Sequence, residues 1–252
     1  MNNSSAAGKV VLVTGGTKGL GRALSLAFAQ SGYEVVATYR SDERSAASIE
    51  SEFLRLGLPG AFIKQDITDG RDSPELERIV QSHNGKSFTL IANASVPFIP
   101  KPLHLNEWDE ISRLIDVNVK GTFLLFKRLL PSLMKSRNGT FISVLSSALN
   151  PPAKGFASYL VAKSALDGLT RSIAAEYSSR GLRVFSVSPG FMETSLTEDW
   201  SEHLKAMMRN SNGSASRPED MAEAILALAK DPATKGEGEN YLLRSTNVAG
   251  AI

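Results

Sequence analysis

Tyr159 and Lys163 stand four residues apart in Ser158-Tyr-Leu-Val-Ala-Lys-Ser164, and Ser146 precedes the tyrosine by thirteen. On a helix, positions i and i+4 share a face, so the phenol and the ammonium can enter one pocket. A free tyrosine titrates near pH ~10, too high for proton exchange at neutral pH. An ammonium alongside favours the phenolate and is expected to lower that value. With a hydroxyl from elsewhere in the chain holding a carbonyl beside the phenol, the set suits proton transfer to or from an alcohol oxygen. That is the half of a redox reaction which a hydride carrier does not perform. Taken alone, the pair fits an ordinary solvated helix as well.

The other half requires a carrier site, and the N-terminal region has the pattern for one. Lys9-Val-Val-Leu-Val-Thr14 is a short β-branched apolar run, as expected of a strand buried on both faces. Gly15-Gly-Thr-Lys-Gly-Leu-Gly21 follows, and Arg22–Gln30 then reads as an amphipathic helix. In a strand–turn–helix context, such glycines let the backbone approach a pyrophosphate and aim the helix N-terminus at it. A P-loop is nearly spelled by Gly16 to Gly21, but Arg22-Ala23 occupies the place of the required Lys-Ser/Thr. An NTPase is thereby excluded.

The elements that must position these groups alternate. Strands are predicted over 9–14, 34–39, 60–65, 88–92, 139–145, 182–188 and 239–243. Helices are predicted over 19–31, 43–57, 73–83, 107–118, 119–136, 157–179 and 218–230. This alternation implies an α/β fold, a doubly wound parallel sheet of about seven strands with helices on both faces. Ligands of such sheets bind beyond the carboxyl ends of the strands, where Gly15, Asp66, Asn93, Ser146 and Pro189 all fall. One domain is expected over 9–252 after a flexible N-terminal stretch, 1–8.

Composition excludes other classes. The chain has 252 residues, 42% hydrophobic, a net charge of +2 and no cysteine. That suffices for a large core, excludes disulfides and thiolate metal sites, and fits a reducing cytoplasm. Dispersed charge gives no case for nucleic acid, and no apolar run approaches the ~20 residues of a membrane span. There is no G-x-S-x-G, and His83, His104 and His203 match no catalytic or metal spacing, so neither a hydrolase nor a metal site is expected.

Together these residues resemble the short-chain dehydrogenase/reductase family over nearly the whole chain, which implies a Rossmann-type fold. The glycine motif matches at Thr14, Gly15, Gly19 and Gly21, and the catalytic tetrad at Asn118, Ser146, Tyr159 and Lys163. The resemblance implies that Thr17, Lys18, Leu20, Ile67, Asn93, Ala94, Tyr159 and Lys163 also face the cofactor. It implies that Asp66 faces the adenine, and that Pro189, Gly190, Met192 and Thr194 contact the nicotinamide end. It further implies that Ser146 polarises a carbonyl, Tyr159 donates the proton, and Asn118 holds a water connecting Lys163 to solvent.

Where an acidic residue would bind the ribose hydroxyls of NAD, the second strand delivers Tyr39, Arg40 and Ser41. Arg40 can bond a 2′-phosphate, and Lys18 adds a second positive charge, so NADPH/NADP is the expected cofactor. Asp42 lies late and reads as a helix start.

Within the family the chain looks most like the 3-oxoacyl-[acyl-carrier-protein] reductases, implying an acyl-thioester ketone as substrate and a homotetramer or homodimer. Arg137 and Arg180 match positions that such enzymes use to dock the acidic carrier protein, though both also suit helix C-termini. Pocket walls are expected from Val96–Leu103, Leu149, Pro151, Pro152, Phe156, Phe191 and Met192, with a substrate lid over 195–216. Two departures stand out: Asn93-Ala-Ser95 replaces the family's Asn-Ala-Gly, and the C-terminal Gly238–Gly250 lacks its Val-Asp-Gly-Gly ending. A free alcohol, sugar, steroid or polyketide-like substrate, and a non-catalytic dinucleotide sensor, are the competing expectations.

Overall fold

A computed structural model describes residues 8–71, 74–82, 86–211, 215–244 and 247–251. The β-branched runs form the central sheet: β1 (Lys9–Thr14), β2 (Glu34–Tyr39), β3 (Gly60–Lys64), β4 (Ser87–Ala92), β5 (Thr140–Val144), β6 (Arg183–Pro189) and β7 (Glu237–Arg244). They pair in parallel in the order β3-β2-β1-β4-β5-β6-β7. An eighth strand that the sequence pattern did not suggest, β8 (Asn247–Ala251), adds to β7 antiparallel.

Alternation along β1 shows why both faces must be covered. Val10 and Leu12 belong to one buried cluster, with Phe88, Leu90, Leu114 and Leu129. Val11 and Val13 belong to the other, with Leu24, Phe28, Ile225 and Met221. The period of two sends successive side chains to opposite faces, so an all-apolar strand needs helices above and below. These are α1 (Gly19–Gln30), α2 (Glu43–Leu56), α3 (Pro74–Ser82), α4 (Trp108–Ile115), α5 (Thr122–Lys135), α6 (Ala157–Tyr177), α7 (Glu202–Ser211) and α8 (Pro218–Lys230).

Three local features bear on the site. The expected break between helices at 118–119 is absent: α4 and α5 are joined by a π-helical segment, Asp116–Gly121. Asp42 caps α2, its carboxylate accepting from the Ser45 N–H at 2.9 Å, as its position after β2 suggested. The expected lid contains a helix of its own, α7, whose start Ser201 caps by accepting from the Leu204 N–H at 3.3 Å. Residues 1–7, His83 and 212–214 of the lid lie outside the described residues.

Candidate active site

The turn after β1 is built so that only glycine fits its closest approach. A Cβ on Gly21 would lie 2.0 Å from the Gly15 carbonyl oxygen and 2.7 Å from Asn93 Nδ2, and Gly15 itself has φ of 63°. Without side chains there, α1 abuts the turn directly. Asn93 locks the arrangement, its Nδ2 donating to Thr14 O at 2.9 Å and Gly15 O at 3.3 Å. The Thr14 hydroxyl accepts from the N–H groups of Asn93 and Ala94, both at 3.0 Å, tying β1 to β4. The first turn of α1 has no acidic residue and no side-chain cap, so its N–H groups stay free for an anion.

This cradle opens into a cavity of about 650 Å³. Gly15, Thr17, Lys18, Gly19, Leu20 and Gly21 line one end. Tyr39, Arg40, Ser41, Asp66 and Ile67 line the carboxyl ends of β2 and β3, and Asn93 and Ala94 that of β4. Pro189, Gly190, Met192 and Thr194 follow β6 into the same space. Size, glycine contacts and polar end match a dinucleotide.

At the β2 end the electrostatics are mixed. Lys18 pairs with Asp42 at 2.9 Å, both partly exposed. Hydrogen bonds from the Ser45 N–H, from Lys18 and from the Ser45 hydroxyl hold the Asp42 carboxyl down at about 2. Arg40 is exposed. Burial pushes the Asp66 carboxyl up, but bonds from the Thr68 hydroxyl and N–H and the charges of Arg40 and Lys120 leave it below the usual range. Asp42 also lines the cavity, which its helix-capping role had concealed.

Ser146, Tyr159 and Lys163 converge at the other end, as i, i+4 stacking on α6 and the position of Ser146 beyond β5 require. Tyr159 and Lys163 are nearly inaccessible, at 8% and 2% exposure. The expected acidification of the phenol does not occur. Burial pushes Tyr159 up to about 12, and only its hydrogen bond with Ser146 pulls the other way. Lys163 Nζ is 5.7 Å from the ring centre and donates to the Val144 carbonyl at 2.7 Å. Sharing a helix face thus placed the ammonium near the ring without aiming it at the hydroxyl. Burial pushes Lys163 down to about 7.

These shifts predict a pH signature in the ligand-free protein. Unfolded, a lysine titrates near ~10.4, so between pH 7 and that value the unfolded chain keeps a proton the folded chain has lost. More protons on the unfolded state means stability that rises with pH in this window. Above pH ~10 the raised Tyr159 reverses the trend, because the unfolded phenol ionises first. Urea unfolding should therefore show wild type gaining stability relative to Lys163→Met from pH 7 to 10. A constant difference contradicts the burial argument.

Asn118 is fully buried on the π-helical segment, behind the cavity wall. π-bulges interrupt the i→i−4 ladder and recur at functional sites. Its Nδ2 donates to Leu114 O at 2.9 Å and to Ser95 Oγ at 3.1 Å, while its Oδ1 has no partner among the described residues. Buried carbonyl oxygens are almost always bonded, so this atom has room in its chemistry for a donor such as water.

The end of the cavity beside Tyr159 is aromatic. Phe98 stacks on Tyr159 at 4.5 Å and 7°, while Phe156 and Trp200 meet Phe98 edge-on. Phe191 stacks on Trp200 at 5.8 Å, and Trp200 Nε1 donates to Phe98 O at 2.8 Å, fastening the segment after β6 to the loop after β4. Leu196, Leu204, Met207 and Met208 continue this wall, and Pro151 and Pro152 line it as expected.

Six expected wall residues, Leu149 and Ile99 to Leu103, do not line the cavity. Leu149 bridges to Pro152 and does not line the cavity, because the turn after Ser146 folds back on itself. From the expected stretch Val96–Leu103, only Val96, Pro97 and Phe98 reach the cavity. Arg137 and Arg180 are exposed and precede β5 and β6, so both lie toward the amino ends of those strands, opposite the cavity. The five residues of β5 alone, at ~3.3 Å each, separate them from Ser146 by roughly 17 Å. Arg180 lies over the Tyr177 ring, 5.4 Å from its centre.

With this fold and site described, the class is plain: the chain belongs to the short-chain dehydrogenase/reductase family, whose profile, described as short chain dehydrogenase, matches residues 9–205. Among individual relatives, it is similar to 3-oxoacyl-[acyl-carrier-protein] reductase FabG of Thermotoga maritima, 34% identical over 92% of this chain and 94% of that one. It is similar also to the FabG of Staphylococcus aureus, 31% identical over 89% of this chain and 92% of the relative. A Brucella melitensis 3-ketoacyl-(acyl-carrier-protein) reductase complexed with NADH shares the fold at TM-score 0.83 and 24% identity, covering 97% of this chain and 100% of the other. A Burkholderia cenocepacia short chain dehydrogenase in complex with NADP does so at 0.82 and 23%, covering 96% and 98%. The chain is accordingly an oxidoreductase acting on CH–OH or C=O groups.

Proposed function

We propose that this protein is an NADPH-dependent reductase of 3-oxoacyl thioesters, giving the 3-hydroxyacyl product. The observation carrying the reading is the meeting of Ser146, Tyr159 and Lys163 with the glycine cradle in one cavity. The similarity to reductases of carrier-bound 3-oxoacyl groups supports the substrate class. A bound reduced nicotinamide supplies the hydride. Ser146 donates a hydrogen bond to the substrate carbonyl oxygen. Tyr159, fully protonated at neutral pH, gives that oxygen its proton. Lys163, which burial leaves partly protonated near pH 7, stabilises the phenolate left behind in its ammonium form, and a water donating to Asn118 Oδ1 connects this pair to solvent. Burial favours the neutral phenol, which is the form reduction consumes.

Exposed Arg40 supports the NADPH choice, and Asp42, the carboxylate that lines the cavity just after β2, is already committed to Ser45 and Lys18. We expect kcat/KM at least tenfold higher with NADPH than with NADH, and Arg40→Ala to erase about tenfold of that ratio by removing a charge-assisted bond. Equal or better efficiency with NADH overturns the choice.

Carrier docking by Arg137 and Arg180, and a cytoplasmic homotetramer or homodimer, complete the reading. Exposed Trp108, Phe123 and Val161 on α4, α5 and α6 support assembly, since large apolar surfaces mark contacts. A second reading, a free apolar ketone, is favoured by the aromatic wall and by the distance of both arginines from the cavity. Comparing carrier-bound with free thioesters, in wild type and Arg137→Glu/Arg180→Glu, separates them: only carrier docking makes the variant lose carrier-bound activity selectively.

A further inference from the structure

Ser95 is the point at which this chain departs from the family's Asn-Ala-Gly, and the structure gives its hydroxyl a partner. Asn118 has two Nδ2 hydrogens: one goes to Leu114 O at 2.9 Å, the other to Ser95 Oγ at 3.1 Å. Ser95 also lines the cavity, whereas Asn118 is completely buried behind it. A hydroxyl that accepts one bond retains a proton to donate, and Ser95 lines the cavity.

We propose that Ser95 is a positioning residue for Asn118, coupling the buried amide to the cavity. By engaging the second Nδ2 hydrogen it commits both donors of the amide to protein acceptors. The remaining polar atom, Oδ1, is then held as an acceptor in a fixed direction, and it is the buried side-chain atom without a protein partner among the described residues. Without Ser95 a second buried polar group of the same side chain loses its partner, and the amide is free to tilt about the single bond to Leu114 O. The proposal concerns turnover through the proton path of the proposed reductase and rests on that reading, but its structural half stands independently.

Two measurements test it. Protein labelled with ¹⁵N-asparagine, without ligand, shows the Asn118 side-chain amide pair, assigned by its loss in Asn118→Ala. Ser95→Ala should shift one proton of that pair strongly and accelerate its exchange with water, whereas Ser95→Thr, which keeps the hydroxyl, should restore the wild-type signal. In kinetics, Ser95→Ala should lower kcat about three- to tenfold, the loss of one neutral hydrogen bond, with substrate KM little changed. Its solvent deuterium isotope effect should rise, and Ser95→Thr should recover most of kcat. An unmoved Asn118 signal in Ser95→Ala overturns the hydrogen bond. A Ser95→Ala enzyme with wild-type kcat and isotope effect overturns the coupling to turnover. If wild type itself reduces no ketone, the functional reading fails, and the labelled-amide result still decides the structural half. Should Ser95→Ala not fold, Ser95→Gly, which adds no atom to the wall, takes its place in both measurements.

Discussion

Tyr159→Phe should cut ketone reduction by ~10²–10⁴-fold while leaving NADPH affinity within about twofold, because general acid catalysis has that worth. The variant keeps the ring, and with it the stack on Phe98 at 4.5 Å and the packing of α6 against β5 and β6. What it loses is the proton proposed to reach the alkoxide oxygen; of its described neighbours, Ser146 is a poor donor of a full proton and Lys163 Nζ is turned to Val144 O. The variant should also be no less stable, since the phenol's bond with Ser146 is its one polar compensation for burial. Stopped-flow turnover beside fluorescence titration of NADPH checks both halves. Near-normal turnover refutes Tyr159 as the acid.

Gly21→Ala should be as damaging to cofactor binding as Tyr159→Phe is to chemistry. The added Cβ would sit 2.0 Å from Gly15 O, a backbone atom with no alternative rotamer, and 2.7 Å from the Asn93 amide that locks the turn. The clash is relieved only if α1 moves away from the turn, which turns its free N–H groups off the anion site. Overpacking of this kind costs about 1–3 kcal/mol, and pushing the cradle apart should lower NADPH affinity by at least tenfold. Calorimetric titration and thermal unfolding measure the two effects. Wild-type affinity in Gly21→Ala would mean that the turn does not hold the pyrophosphate.

Much of this was legible in the chain because it rests on local physics. Val10–Val13 reads as a strand buried on both faces, and Gly15–Gly21 as a glycine-rich turn into a helix. Asp42 reads as a cap from its place between a strand and a periodic stretch. Features set by distant contacts were not legible. The π-helical segment around Asn118 reads from the sequence as a junction between two helices, because nothing local in Asp116–Gly121 distinguishes a π turn from a helix boundary. β8 owes its strand to pairing with β7, because Asn247–Ala251 has a single β-branched residue. The phenol's pKa depends on how deep Tyr159 lies and on which acceptor captures Lys163, and a four-residue spacing specifies neither. Ser95 stands out in the sequence as a departure from Asn-Ala-Gly, but its bond to Asn118 spans twenty-three residues and is invisible there. Leu149 was misplaced because a residue near Ser146 in sequence need not share its side of a turn.

The central claim is that this one cavity moves a hydride and a proton onto the same carbonyl. The direct measurement incubates the protein with NADPH deuterated at the transferable C4 position and a 3-oxoacyl thioester, then locates the label by mass spectrometry. The expected result is one deuterium on the carbinol carbon of a 3-hydroxyacyl product for each cofactor oxidised, with Tyr159→Phe giving almost none. Cofactor that stays reduced, or a product whose carbinol carbon carries only solvent hydrogen, would contradict it.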